Sequence, residues 1–189
     1  MVMQNFNVKK IVLCALFAAL IAIGAFIRIP VPVVPFTLQF LFTNLAGIML
    51  GKKLGALSVV VYIALGLVGL PVFTSGGGPA YVLQPTFGYI IGFALGAYAA
   101  GAVLEKFPKR QFKHYILASI ADIIIVYACG MVYYYFISNY YMGETIGVSA
   151  LFLYCFVMAV PGDILLCFLS SYIAKKTYKV TRGVLYENK

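Results

Sequence analysis

Charged residues are scarce in this sequence: 10% of its 189 residues are Asp, Glu, Lys or Arg, and 63% are hydrophobic. Soluble globular domains carry about 25% charged residues, so this composition, with a mean hydropathy of +1.00, excludes that class. Trp is absent, so the 15 Tyr residues must provide most of the aromatic anchoring at a membrane surface. We therefore predict an integral membrane protein whose residues 1–189 form one domain in the lipid bilayer.

Residues that support catalysis or metal binding are also few. His114 is the one histidine, and the four cysteines lie in apolar runs without CxxC spacing, which favours apolar packing over a metal site or a disulfide. An enzyme would need a nucleophile with its base, paired carboxylates or a metal cluster, so we expect no enzyme, no metal and no cofactor. The segment 47–54, GIMLGKKL, lacks the GxxxxGK[ST] spacing of an ATP-binding loop, so energy from ATP must come from a partner.

The long apolar runs number about six, and each is predicted to be a helix because backbone polar groups cannot stay unpaired in hydrocarbon. The second run is short for a span. The run after Lys9 and Lys10 is longer than the apolar part of a typical signal peptide, so we expect a retained helix. The predicted fold is an all-α bundle of about six transmembrane helices, from the runs Ile11–Ile27, Phe36–Leu50, Leu54–Leu70, Thr86–Leu104, Tyr115–Ile137 and Val148–Ala174.

The positive charges predict the orientation of these helices. Of the 14 Lys and Arg residues, all except Arg28 lie before the first run, after the sixth, or in alternate loops between them. Because cytoplasmic loops are enriched in Lys and Arg, both termini are predicted to be cytoplasmic. The net charge of +9 thus reflects topology and attraction to anionic lipid, and we expect no nucleic-acid partner.

The segment Leu70–Phe93 interrupts the apolar runs with glycines, prolines, hydroxyls and aromatic residues. Gly76, Gly77 and Gly78 permit positive φ, and the prolines oppose a helix. This segment could be a lid or cradle whose backbone N–H groups face an anion, with Thr86 capping the next helix. A plain surface turn would have the same composition, and this alternative stays open.

Small residues recur at helical spacing and predict close helix packing. Gly47, Gly51 and Gly55 form one glycine series, and a second series has the same spacing; both are predicted to pack inside the bundle. An alanine stripe on the first helix could pack internally or dock a partner subunit. The second glycine series is Gly88, Gly92 and Gly96, and the alanine stripe is Ala15, Ala18, Ala19, Ala22 and Ala25.

Two carboxylates, Asp122 and Asp163, lie inside apolar runs, where an ionisable group is costly and is a functional candidate by default. Asp163 follows Pro161 and Gly162, which weaken the local helix, and we expect it to bind a ligand. Asp122 could bind a ligand or make a structural hydrogen bond, for example to Ser119.

Four motifs together resemble the BioY family, the biotin-binding subunits of energy-coupling-factor transporters. They are PVPVVPFTLQ at 30–39, GLPVF at 69–73 before the glycine cluster, QPTFGYIIGF at 84–93, and PGD at 161–163. The resemblance implies a six-helix protein of the cell membrane that captures biotin for a transmembrane coupling subunit and two cytoplasmic ATPases. It also implies that Ala15, Ala18, Ala19 and Ala22 dock the coupling subunit. The family commonly has Lys three residues after the aspartate, where this chain has Leu166.

The chemistry of biotin suggests roles for the candidate residues. Asp163 could accept hydrogen bonds from the ureido N–H groups, and Gln39 or Asn44 could donate to the ureido carbonyl. Tyr89 and Phe93, one helical turn apart, could pack against the apolar ring. The carboxylate of biotin would lie near Gly76, Gly77 and Gly78 or near the start of the fourth helix. Arg28 is the one cation on that side of the membrane, although its side chain could instead extend to the membrane surface.

Other transport functions remain open. A related subunit could bind a different vitamin. A proton-coupled secondary transporter could use Asp122 and Asp163 as a relay, although the chain shows no obvious internal repeat, which such folds often have.

Overall fold

A computed structural model describes residues 8–29 and 36–186. The segment 30–35, which contains most of the proline-rich motif, lies outside the described residues. The elements in chain order are α1 Val8–Phe26, β1 Arg28–Ile29, β2 Phe36–Thr37, α2 Gln39–Leu50, α3 Lys52–Val68, a 3₁₀ helix Pro79–Leu83, α4 Phe87–Glu105, α5 Phe112–Phe136, α6 Val148–Phe152 and α7 Val160–Tyr186. Two π-helical segments, Ile137–Met142 after α5 and Leu153–Val157 between α6 and α7, complete the list.

Each of the predicted apolar runs contains a helix. The second run begins in β2, so its helix starts at Gln39, and the last run is divided into α6, a π-helical segment and α7. Four segments are long and apolar enough to cross a membrane, namely Val8–Phe26, Phe87–Glu105, Phe112–Met142 and Val148–Tyr178. The helices α2, with 12 residues, and α3, with 17, are shorter. The structure is thus that of an all-helical membrane protein with a two-stranded antiparallel ribbon, in which Arg28 pairs with Thr37.

Glycines allow neighbouring helices to touch, as predicted. A Cβ on Gly55 would lie 2.7 Å from the Cα of Gly47, and a Cβ on Gly92 would lie 2.9 Å from the Cα of Val126. A Cβ on Gly96 would overlap the Asp122 carboxylate. Gly51 has another role: its φ of 84° ends α2 and begins α3, a conformation that glycine adopts at little cost.

The two ends of the bundle differ in charge. At one end, the β-ribbon meets the loop after α3, where Arg28 Nη1 donates to the carbonyl of Thr74 at 3.1 Å. At the other end, Lys52 pairs with Glu105 at 2.7 Å, and the α4–α5 loop lies against α7. Arg110 of this loop and Lys175 of α7 lie at the same end, over the rings of Tyr178 and Phe112.

A buried polar cluster joins α2, α5 and α7. Asn44 Nδ2 donates to Ser170 Oγ at 3.2 Å, and Ser119 Oγ donates to Asn44 Oδ1 at 3.3 Å. Ser119 Oγ also lies 3.2 Å from Ser171 Oγ. The Asp122 carboxylate is fully buried, and neither of its oxygens has a hydrogen-bond partner among residues 8–29 and 36–186. The hydrogen bond from Ser119 to Asp122 that we considered is therefore not formed.

The alanine stripe of α1 is divided between the two sides of the helix. Ala18 and Ala25 are buried against the bundle, and Ala22 is partly buried. Ala15 and Ala19 are exposed. Only part of the stripe is therefore available to a partner.

Candidate functional site

A cavity of about 260 Å³ lies at the end of the bundle that carries the β-ribbon. It is bounded by the ribbon, the loop after α3, the helices α4 and α5, and the start of α7. Its volume is slightly below the range of about 300–1,000 Å³ that is typical of small-molecule sites. Its polar and tyrosine side chains are Thr37, Gln39, Thr74, Ser75, Tyr81, Gln84, Thr86, Tyr89, Tyr127 and Asp163, and its apolar ones are Phe36, Phe40, Ile90, Phe93, Val126 and Ala159.

Asp163 is the one carboxylate in this cavity lining. Tyr127 on α5 donates its hydroxyl to Asp163 Oδ2 at 2.6 Å. A carboxylate can accept about four hydrogen bonds, so this contact fixes the group and leaves capacity for ligand donors. Pro161 and Gly162, which we expected to weaken the local helix, lie in the first turn of α7, which begins at Val160. There the positive end of the helix dipole also favours a negative group.

Gly162 brings the β-ribbon close to Asp163. A Cβ at Gly162 would lie 2.5 Å from the nearest atom of the Phe36 ring, so a larger residue would push this ring away. Phe36 lies in β2 and also lines the cavity. The glycine of the PGD motif therefore allows the Phe36 ring to pack beside Asp163.

Tyr89 and Phe93 form an aromatic wall on α4, and both are less than one-tenth exposed. The Tyr89 ring meets the Tyr127 ring edge to face, with centroids 5.9 Å apart. The Tyr89 hydroxyl donates to the Cys155 carbonyl at 3.3 Å. These contacts fix the ring, so it offers a rigid apolar surface to a ligand.

Gln39 supplies an unused donor at the first residue of α2. Its side chain is 3% exposed and lies near the Tyr62 hydroxyl, but its Nε2 has no partner in hydrogen-bonding geometry among the residues that the structure describes. An unsatisfied buried donor is costly, typically about 1–3 kcal/mol. A ligand acceptor in the cavity would satisfy Gln39 Nε2.

The glycine cluster lies behind the cavity lining. Thr74 and Ser75 line the cavity, whereas Gly76, Gly77 and Gly78 do not. The N–H groups of Gly76 and Gly78 donate to the carbonyls of Phe73 and Gly66, so these two donors are already used. Gly76 and Gly78 do have positive φ, as predicted, and this backbone shape brings Thr74 and Ser75 to the cavity.

Two further predictions differ from the structure. Thr86 lines the cavity and precedes α4, but its side chain makes no capping hydrogen bond, so the predicted cap is wrong. Asn44 is fully buried in the polar cluster and is absent from the cavity lining. Leu166, at the position where Lys was expected from the resemblance, is also buried and outside the lining.

Sequence reasoning missed Tyr127, Tyr81 and Gln84 as site residues. Tyr81 and Gln84 fall within the segment 70–93. The hydroxyl and aromatic residues of this segment indicated a site, but they did not show which residues line the cavity. Tyr127 lies 36 residues from Asp163, and nothing in the local sequence of α5 distinguishes it from the other tyrosines.

Comparisons with known proteins all point to one family. A family model described as the BioY family matches residues 2–183. A probable biotin transporter BioY from Lysinibacillus sphaericus is 49% identical over 174 residues, covering 92% of this chain and 89% of that protein. The biotin transporter BioY from Thermotoga maritima is 43% identical over 137 residues, covering 72% of this chain and 78% of that protein.

A solved structure is also similar. It is a crystal structure of the S-component for biotin from an ECF-type ABC transporter, with a TM-score of 0.81 and 30% sequence identity. The alignment covers 95% of this chain and 95% of that chain.

Proposed function

The chain belongs to the BioY family, and from that premise we propose that it binds biotin in the cavity beside Asp163 as the substrate-binding subunit of an energy-coupling-factor transporter. It is a transport protein and not an enzyme. The observation that carries the proposal is the pairing, in one cavity, of a fixed acceptor with a free donor. Tyr127 fixes the Asp163 carboxylate, and Gln39 Nε2 is buried with no partner in the described part of the chain.

The ureido ring of biotin matches these two groups. Its N–H groups would donate to Asp163, and its carbonyl would accept from Gln39 Nε2. Tyr89 and Phe93 would pack against the sulfur-containing ring, since both are fixed on one side of α4. Each polar group of the ring system thus has a partner in the cavity, as a buried ligand requires.

The biotin carboxylate would lie outermost, near Thr74, Ser75 and Thr86. Their hydroxyls line the cavity and can donate to an anion. Arg28 binds the Thr74 carbonyl at 3.1 Å, so it places a positive charge beside the same loop. In this proposal, hydroxyls of the loop and of Thr86 replace the glycine N–H groups that the sequence suggested.

A wider proposal concerns the orientation of the chain in the membrane and its partner subunits. We place the basic end of the bundle and both termini in the cytoplasm, with about six helices crossing the cell membrane, because basic residues favour the cytoplasmic side. The cavity then opens to the outside. The whole chain would act as one substrate-binding domain. A transmembrane coupling subunit and two ATPases would drive uptake, with Ala15 and Ala19 offering an exposed small-residue surface on α1 to the coupling subunit.

Calorimetry of the purified chain tests this function. We expect biotin to bind, and riboflavin and thiamine not to bind, without ATP. Asp163→Asn should weaken biotin binding by about 1.5–3 kcal/mol, the range for a hydrogen bond to a charged group. The matched control is Glu144→Asn, which removes an exposed carboxylate outside the cavity. Equal biotin affinity in Asp163→Asn and wild type would remove Asp163 from the site, and tighter binding of another vitamin would refute the choice of ligand.

A further inference from the structure

A second cavity lies at the basic end of the bundle, opposite the candidate biotin site. Its volume is about 200 Å³, and it is bounded by the end of α2, the α4–α5 loop and the last turns of α7. Its floor is apolar: Ile48, Leu104 and Ala174 are each 1% exposed. The proposed biotin chemistry makes no use of this cavity.

The rim of this cavity is positively charged. Arg110 lies on it with its guanidinium 5.0 Å from the centroid of the Tyr178 ring. Glu105 is the one carboxylate in the lining, and Lys52 neutralises it at 2.7 Å. Exposed Lys106, Lys175 and Lys176 occupy neighbouring positions in the α4–α5 loop and on α7. An anionic group at the rim would therefore meet an excess of positive charge.

The loop that carries Arg110 is held in place by local contacts. Phe107 stacks on His114 with ring centroids 4.1 Å apart and an interplanar angle of 5°. The N–H of Gln111 donates to His114 Nδ1 at 3.1 Å. Because the backbone on both sides of Arg110 is fixed, little ordering of the loop would oppose ligand binding.

We propose that this second cavity binds the headgroup of an anionic phospholipid. The phosphate would pair with the Arg110 guanidinium, which suits the planar geometry of phosphate oxygens. The glycerol and the start of the acyl chains would cover the apolar floor. Basic pockets between helices at the cytoplasmic surface are a recurrent means of lipid headgroup recognition, and this cavity combines the cation, the apolar floor and the position at a helix end.

Native mass spectrometry of the purified full chain with added lipid tests the proposal. Wild type should retain phosphatidylglycerol in preference to phosphatidylcholine. Arg110→Gln should weaken phosphatidylglycerol binding about fivefold or more, because one cation near an anionic lipid contributes about that factor. The matched control is Lys109→Gln, which removes an exposed charge from the same loop outside the lining. It should change binding by less than about twofold, because salt screens an exposed charge that does not touch the lipid. Biotin titration should be unchanged in both variants, which shows that they are folded.

A second pair of variants tests the cavity without changing its charge. Thr181 lines the cavity, so Thr181→Phe should fill it and reduce retention of phosphatidylglycerol. Val180, the neighbouring residue on α7, is 71% exposed, so Val180→Phe should not. This pair decides the question if Arg110→Gln fails to fold.

Four outcomes would overturn the proposal. The first is an equal loss for Arg110→Gln and Lys109→Gln, which would indicate general attraction to the charged surface. The second is full retention in Thr181→Phe. The third is displacement of the lipid by millimolar inorganic phosphate, which would indicate a site for a soluble anion. The fourth is an Arg110→Gln variant that still binds the lipid but no longer associates with a coupling subunit. That result would make the cavity a contact site for a protein.

Discussion

Removing the Tyr127 hydroxyl gives the sharpest test of how the candidate biotin site is built. In Tyr127→Phe the ring should stay in place, because it packs edge to face on Tyr89 at 5.9 Å and on Phe156 at 5.3 Å. The lost contact is the hydrogen bond of 2.6 Å to Asp163 Oδ2. The variant therefore changes the carboxylate's support while the cavity keeps its shape.

The size of the effect follows from that one bond. A hydrogen bond to a charged group contributes about 1.5–3 kcal/mol, and Asp163 is 9% exposed, so water replaces the lost donor only in part. If about half of this energy holds the carboxylate in its binding position, the dissociation constant for biotin should rise about fourfold to twelvefold, equivalent to about 0.8–1.5 kcal/mol. In an Asp163→Asn background, Tyr127→Phe should add less than about twofold, because Tyr127 acts through the carboxylate.

Calorimetry is the suitable assay, since the chain has no Trp to report binding by fluorescence. Tyr172→Phe is the matched control: this tyrosine lies on α7 and is 58% exposed, so its loss should leave biotin affinity unchanged. The reasoning fails if Tyr127→Phe binds biotin as wild type does, or if its effect is equally large in the Asp163→Asn background.

Three further variants test other parts of the structure. Gly96→Ala should destabilise the protein by about 1–3 kcal/mol in a thermal unfolding assay, because its Cβ would overlap the Asp122 carboxylate. The control Gly183→Ala should be neutral or stabilising in the same assay, because a Cβ at Gly183 on α7 meets open space. Asn44→Ala should lower stability by about 1–3 kcal/mol, because it removes two buried hydrogen bonds, one to Ser170 and one from Ser119, and should change biotin affinity by less than about twofold. A large loss of affinity at full stability would return Asn44 to the site. Arg28→Gln should speed biotin release by about twofold to tenfold, through loss of a hydrogen bond of about 0.5–1.5 kcal/mol between the ribbon and Thr74. An unchanged rate of release of radiolabelled biotin would separate Arg28 from the cavity mouth.

The cysteines and the glycine series illustrate how far local pattern reaches. Free Cys14, Cys155 and Cys167 are buried as small packing residues, and the glycines at 88, 92 and 96 face α5. Both results follow from residue size and spacing, which are properties of the chain alone. The alanine stripe shows the limit, since Ala18 is buried and Ala19 is exposed; which side of a helix meets its neighbours depends on the neighbours.

The amino-acid sequence by itself determined the membrane class, the helical segments, the gathering of basic residues at one end and, through its motifs, the family. It did so because hydropathy, charge and short motifs are properties of local segments. Only the tertiary structure decided that Tyr127 holds Asp163, and that Gln39 lines the cavity while its Nε2 has no partner within the described part of the chain. It also decided that Asn44 bonds to Ser170, which is 126 positions away. The physical reason is that a hydrogen-bonding group binds the partner that folding brings within about 3 Å, and the sequence spacing of the two groups carries no information about that distance.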